Sequence, residues 1–371
     1  MKVDGQCLSP LVDTGSSKLF FVEKEYLEST MSPKSCNDFV FGCYECDAHI
    51  SDAEVSEIEH CDNTCAHVVR YRGVLEMGGQ LVHDVEFGLL VNYEPKGYMP
   101  HASLGLAPQF DAGSITLLGQ LMDKGAIDNR AFSIYFKPDN YSEGELIIGG
   151  EDSSKYKEPV IAVPLFDVGD AWAVRVASLV VGEETILESV PMDIDSGTSY
   201  FWLPFGLHLS LWKALEKSAS LRAGRQIKFN YNDGLLALSR CSDRVYLPPL
   251  EVHVRDKFGV VSLIVISSDF YVQSSSSPEG GTCILLGRMD PVDDLYTRPT
   301  IGLNLLREYY LHFQYDEREI RFARMLKDSD TTSQPLKASS REQGNYNKPT
   351  KSMEPDSSSS TLFDRSIKLV P

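Results

Sequence analysis

Leu11-Val12-Asp13-Thr14-Gly15-Ser16-Ser17 and Met192-Asp193-Ile194-Asp195-Ser196-Gly197-Thr198-Ser199 say nearly the same thing 182 residues apart. Each sets a carboxylate on a tight turn behind a short apolar run, with a hydroxyl residue next and a glycine after it. One Asp-Thr-Gly carries little information, because aspartate and glycine are ordinary turn formers. The repetition is what carries weight. Two carboxylates brought to about 3 Å cannot both ionise, so one keeps a proton while the other accepts one, and a single site then holds an acid and a base.

The rest of the chain reads as strands. Apolar or alternating runs such as Leu81–Phe87, Ala173–Val176 and Val260–Ile266 lie between clusters of Gly, Pro, Asn and Asp, the pattern of strands joined by turns. Helical candidates are few and short, the best being Thr116–Met122 and Leu207–Glu216. An all-β chain is expected, and the duplicated Asp loops imply two pseudo-symmetric lobes about a cleft. A length of 371 residues suffices for two such lobes. No apolar run approaches the span of a transmembrane helix. The net charge of −18 and the lack of a basic patch argue against a nucleic-acid partner, and an acidic surface mainly keeps a protein soluble.

Around the two loops the chain resembles the pepsin-like aspartic proteases, a family whose two lobes each contribute one Asp-Thr/Ser-Gly loop. Ala102-Ser103-Leu104-Gly105-Leu106-Ala107 is similar to the segment that braces the first loop there. Phe132-Ser133-Ile134-Tyr135-Phe136 and Glu143–Asp152 resemble the run that closes the first lobe, and Val163-Pro164-Leu165 with Ala171-Trp172 follow as in the family. Leu305–Phe313 resembles the last long strand region, so the likeness covers residues 4–325. It implies the bilobal pepsin-like fold: an N-terminal lobe over residues 1–155, a C-terminal lobe over 156–326, and a polar tail over 327–371. That tail is expected to be disordered from its low complexity.

The resemblance also implies roles. Asp13 and Asp195 form the dyad that activates a water and protonates the scissile carbonyl, without a covalent intermediate. The shared proton is the general account of such dyads, and its two pKa values belong to the pair. Gly15 and Gly197 let backbone N–H groups approach the carboxylates, Thr14 and Ser196 cross-link the loops, and Ser16 and Thr198 are expected on the outer carboxylate oxygens. Tyr71, ahead of Gly73, is the candidate for the Tyr of the hairpin that covers the cleft; an exposed strand tyrosine is the other reading. The family's Gly-rich tip is missing here, and Phe20 stands where a tryptophan commonly bonds that tyrosine. Asp193 departs from the family, which has an apolar residue there. Residues i and i+2 of a strand share a face, so Asp193 either brings a third carboxylate to the cleft, favouring a basic substrate residue, or pairs with an arginine.

Eight cysteines are present. On the resemblance Cys241 and Cys283 form the second-lobe disulfide. Cys7, Cys36, Cys43, Cys46, Cys61 and Cys65 lie in or before an insertion ahead of the cleft hairpin, loosely similar to the Cys-rich insertion of nepenthesin-type enzymes. Their pairing is open, and the spacing Cys43-x2-Cys46 with Cys61-x3-Cys65 also permits zinc; disulfides in an oxidising, secreted or lumenal compartment are expected. The sequon Asn140-Tyr141-Ser142 agrees with that compartment. Met1–Gln6 has no apolar core and is not a signal peptide. Against the family pattern the chain is expected to be incomplete at its start, because a shortened form would leave a sheet edge unpaired.

The expected activity is that of an aspartic endopeptidase acting on peptide or protein substrates at acidic pH, as a monomer without metal or cofactor. A catalytically silent pepsin-fold protein that binds peptides is the alternative, which the retention of both aspartates and both loop glycines disfavours. A zinc hydrolase lacks the His-Glu-x-x-His helix it would need.

Overall fold

The computed structural model describes residues 1–46, 54–60, 64–110, 115–138, 140–167, 169–232, 235–274, 283–289, 298–326 and 366–369. In the first lobe the strands are Lys2–Val3 (β1), Gln6–Cys7 (β2), Leu11–Asp13 (β3), Leu19–Val22 (β4), Val55–Glu59 (β5), Cys65–Met77 (β6), Gln80–Glu94 (β7) and Ser103–Gly105 (β8). They form one sheet in the order β2-β1-β6-β7-β4-β8-β3, with β5 paired to β6. Short turns set its hairpins. Asp4 and Gly5 (φ 48° and 80°) turn β1 into β2, and Gly78 and Gly79 (φ 55° and 78°) turn β6 into β7, the left-handed pairs that suit strand twist.

Next come Ala131–Lys137 (β9), Asn140–Ile148 (β10) and Tyr156–Pro164 (β11). The second lobe holds Ala173–Val181 (β12), Glu184–Asp195 (β13), Phe201–Leu203 (β14), Phe229–Asn232 (β15), Leu235–Leu238 (β16), Leu250–Arg255 (β17), Val261–Ile266 (β18), Val272–Ser274 (β19), Cys283–Met289 (β20) and Thr300–Gly302 (β21). Its sheet runs β15-β16-β20-β14-β21-β13-β12-β17-β18, with β19 on β20. The last strands are Tyr309–Gln314 (β22), Glu319–Met325 (β23) and Ser366–Leu369 (β24).

A third sheet joins the lobes, in the order β11-β23-β22-β9-β10-β24. Ala131 to Phe136 of β9 are all buried, as expected of a strand covered on both faces. Phe132 stacks on Phe313 at 4.5 Å, and Trp172 meets both edge-on. β24 pairs antiparallel with Gly144–Ile147 of β10. Residues 366–369 therefore correct the expectation of a wholly disordered tail, while 327–365 lie outside the described residues. Both expected helices form. Thr116 caps Leu117–Asp123 through a bond from Gly119 N to its side chain, and Phe205–Ala223 ends at left-handed Gly224.

The chain's start is tied down by Asp4. Its carboxylate accepts from Val74 N at 2.8 Å and from Tyr44 Oη at 2.7 Å. A Cβ on Gly73 would sit 2.9 Å from Asp4 Cγ. Gly73 thus makes room for Asp4, which corrects its assignment to a cleft hairpin. Asp4→Ala removes both bonds and is expected to lower stability by about 1–2 kcal/mol, read as a lower urea midpoint at unchanged slope.

Candidate active site

Each aspartate ends a strand and lies beside a glycine. β3 runs parallel to β8 so that Asp13 faces Gly105, and β13 runs parallel to β21 so that Asp195 faces Gly302. A Cβ at Gly105 would lie 2.5 Å from the Ser17 carbonyl carbon, and one at Gly302 2.6 Å from Thr198 O. Each Asp loop therefore folds back over a position only glycine fills. Ala107 N donates to Ser16 O at 2.9 Å and Leu303 N to Thr198 O at 3.0 Å, fixing the two loops alike. Gly105 was legible in the sequence. Gly302 was missed, although Thr300-Ile301-Gly302 repeats the pattern of Ser103-Leu104-Gly105.

The loops are cross-linked by four buried or part-buried bonds. Thr14 N donates to Ser196 Oγ (3.0 Å) and Ser196 N to Thr14 Oγ1 (2.8 Å). Thr14 Oγ1 donates to Ile194 O (2.9 Å) and Ser196 Oγ to Val12 O (2.6 Å). Each hydroxyl both donates and accepts, so the backbone of one lobe is satisfied by the other. Gly15 N donates to Asp13 Oδ1 and Gly197 N to Asp195 Oδ1, both at 2.8 Å. A Cβ at Gly15 would come within 2.6 Å of Asp195 Cγ, and one at Gly197 within 2.8 Å of Asp13 Cγ. The bare glycine backbones let the two carboxylates meet, and they bond side chain to side chain.

Burial opposes ionisation of both. It raises the Asp13 carboxyl, while the Gly15 N–H, the bond with Asp195, the charge of His60 and the Ser16 N–H pull the other way. Asp195 is pushed up to about 7, by burial first and the neighbouring Asp13 charge second, with the Gly197 N–H opposing and Asp193 adding a smaller push. The shared proton rests more with Asp195, and Asp13 has the support an anion needs.

Several expected contacts are different. Arg298 Nε donates to both oxygens of Asp193, at 2.9 and 3.1 Å. Asp193 shares the strand face of Asp195, but it is held by an arginine 105 residues on, which corrects the reading of an open carboxylate awaiting a basic substrate residue. Thr198 Oγ1 accepts from Trp202 Nε1 (2.9 Å) and Tyr200 N (3.3 Å), and Ser16 Oγ accepts from Lys18 N (3.2 Å). These hydroxyls shape their own turns, which corrects their placement on the outer carboxylate oxygens.

Tyr71 sits in mid-strand opposite Phe87, its ring 5.6 Å from those of both Tyr44 and Phe87 and its hydroxyl beside Cys46. It packs within the lobe and is not a lid residue, a second correction to the cleft hairpin. The hairpin before it is β5–β6, which carries His60, a residue whose charge favours ionisation of Asp13. Glu59 pairs with Cys65, and His60 N donates to Thr64 O at 2.9 Å. The His60 ring lies 6.4 Å from Phe20, on the strand that follows the Asp13 loop, and 4.9 Å from His101. Beneath this hairpin is a cavity of about 370 Å³ lined by Ile58, Val68, Leu19, Ile115 and Leu117 among others. The signal was present as a strand-like Val55–Glu59 followed by turn-forming Asp62-Asn63, but the cysteines around it drew the reading toward an insertion.

Of the cysteines, Cys36 pairs with Cys43 and Cys241 with Cys283. Cys7, Cys46 and Cys65 stand outside these disulfides, and Cys61 lies outside the described residues. Among the described residues, no group of three or more His, Cys, Asp or Glu is placed to hold a metal ion, and no helix is long and apolar enough to cross a membrane.

Comparison with known proteins agrees with this architecture. The chain is similar to secreted aspartic protease 3 of Candida albicans, 23% identical over 336 residues that cover 86% of this chain and 76% of that protein. It is 25% identical to the acid protease of Saccharomycopsis fibuligera over 227 residues (56% and 55% of the two chains). With rhizopuspepsin-1 of Rhizopus niveus it shares 27% over 200 residues (52% and 50%). Residues 3–325 match the family described as eukaryotic aspartyl protease. The chain belongs to that family, the pepsin-like aspartic endopeptidases.

Proposed function

We propose that this chain hydrolyses peptide bonds with a water activated between Asp13 and Asp195, at acidic pH. The observation that carries the proposal is the meeting of the two carboxylates inside reciprocal cross-links from both lobes. Asp13, with N–H donors and the charge of His60 in its favour, takes the proton from the water. Asp195 gives its proton to the carbonyl oxygen as the tetrahedral intermediate forms. On collapse the proton taken by Asp13 passes to the leaving nitrogen, while a hydroxyl of the intermediate returns a proton to Asp195, restoring the dyad. The two disulfides suit an oxidising compartment, and the names of the similar proteins include "secreted" and "acid protease". A secreted or vacuolar location is the setting we infer.

The test is hydrolysis of an unfolded protein substrate as a function of pH, in the native sequence and in Asp13→Asn. Activity is expected at acidic pH and to fall as the pH rises through about 7, where the shared proton is lost. Asp13→Asn is expected to abolish it. Undiminished cleavage in alkaline buffer, or in Asp13→Asn, would overturn the assignment; peptide binding without cleavage would favour the silent alternative.

A further inference from the structure

We propose that Arg298 is a specificity-determining residue: its guanidinium, anchored by Asp193, receives a carboxylate of the peptide substrate beside the dyad. The inference rests on the dyad reading above and deepens it by naming a chemistry of the substrate.

Placement comes from strand register. β13 and β21 run parallel, with Asp193 beside Thr300 and Asp195 beside Gly302. Asp193 and Asp195 share one strand face, so they stand about 6.6 Å apart along β13. Asp193 N donates to Pro299 O at 2.9 Å, which ties the chain just before β21 to the same row. Arg298 Nε then donates to both oxygens of Asp193, at 2.9 and 3.1 Å. An extended peptide lying across the dyad advances about 3.3 Å per residue. A residue a few positions from the scissile bond is thus within reach of Arg298.

The guanidinium supplies the chemistry. It carries five N–H donors in a planar fork, and Asp193 occupies only the one on Nε. Among the described residues the Nη groups of Arg298 have no partner, and its side chain is 33% exposed. Other arginines of this chain hold two carboxylates at once. Arg321 donates from Nε to Glu319 at 2.7 Å and brings Nη1 to 3.8 Å from Glu151. Arg72 bonds both Asp84 and Glu86. The chain has 53 acidic residues against 35 basic ones, yet no described carboxylate other than Asp193 meets Arg298. The open edge of the fork matches a carboxylate with two parallel bonds. A basic substrate residue, by contrast, finds both oxygens of Asp193 already taken.

The test is cleavage of peptides carrying Glu, Gln or Lys at successive positions on either side of the scissile bond, with both ends blocked. At about pH 5.5, where a free glutamate is ionised, Glu is expected to exceed Gln in kcat/KM by about tenfold at the position that meets Arg298. The advantage is expected to vanish at about pH 3.5, as that glutamate takes up its proton. Arg298→Gln is expected to erase it and, with Asp193 left bare, to turn the preference at that position toward Lys. The fork also fits a C-terminal carboxylate, so the same peptides are compared with free and amidated ends; a preference for the free end assigns the carboxylate to the terminus. A Glu-to-Gln ratio near one at every position, with no preference for a free end, would overturn the inference. So would a Glu advantage that persists when the glutamate is protonated, a reading made on the native protein whatever Arg298→Gln does to folding. Should the native protein cleave no peptide, the dyad reading fails, and binding of the same peptides by fluorescence anisotropy decides the role of Arg298: Glu bound above Gln upholds it, and equal binding or none overturns it.

Discussion

Asparagine in place of Asp195 is expected to lower kcat/KM for peptide hydrolysis by about 10³-fold while raising stability at neutral pH. The activity loss follows from removing the proton that Asp195 holds for the substrate carbonyl. The stability gain follows from the same shift with its sign worked through. The folded-state pKa of Asp195 is raised, to about 7 from an ordinary 3.8. Between those values the folded state binds more protons than the unfolded chain. The group's contribution is therefore full below the unfolded value and is lost as pH rises through about 7. Asparagine has no proton to lose. The variant should melt above the native protein at about pH 7.5 and match it more closely near pH 4. Thermal melting at the two pH values checks this, and a difference independent of pH would show that the burial penalty at Asp195 has been misread.

Gly197→Ala is expected to cost about 100-fold in kcat/KM with the fold intact, because a displacement near 1 Å at reacting groups is worth that much. The new Cβ would lie 2.8 Å from Asp13 Cγ and 3.2 Å from Asp195 Oδ1. Neither neighbour is the loose end of a long side chain. Asp13 is held by Gly15 N and Asp195 by Gly197 N, so the loop itself has to shift, and it carries both carboxylates out of alignment. Gly206→Ala is the matched control. Nothing lies within 4 Å of that position in the first turn of the Phe205–Ala223 helix, and alanine is the better helix former. Native activity in Gly197→Ala would mean that the dyad does not require the close approach seen here.

What could be read from the sequence was whatever repeats locally. Asp13, Asp195, their glycines and the Thr14/Ser196 pair each sit within four residues of one another in a doubled motif, and strand alternation gave the all-β class. What could not be read depends on register and on distant partners. Tyr71-Arg72-Gly73 has the letters of a lid, but β6 is 13 residues long, and its length carries Tyr71 past the cleft and into the lobe. His60 was hidden because the strand before it is short and charged. Asp193 could not be assigned without Arg298, which no local pattern connects to it. Four residues of the polar tail join a sheet because β10 presents an edge, a fact about the partner strand and not about the tail.

The central sheet bears on how the molecule is made. Ser133 pairs with His312, whose Nδ1 lies 2.8 Å from Ser133 Oγ across a separation of 179 residues. Such distant pairing is slow to form. During synthesis the first lobe emerges with Asp13 alone, and the strand that locks the lobes together leaves the ribosome more than a hundred residues after Asp195. On the dyad proposed above, a nascent chain holds only one of the two aspartates until about midway through its elongation. The same delay leaves the outer edges of the β9–β10 hairpin unpaired until β22 and β24 follow, an interval in which exposed strand edges invite aggregation.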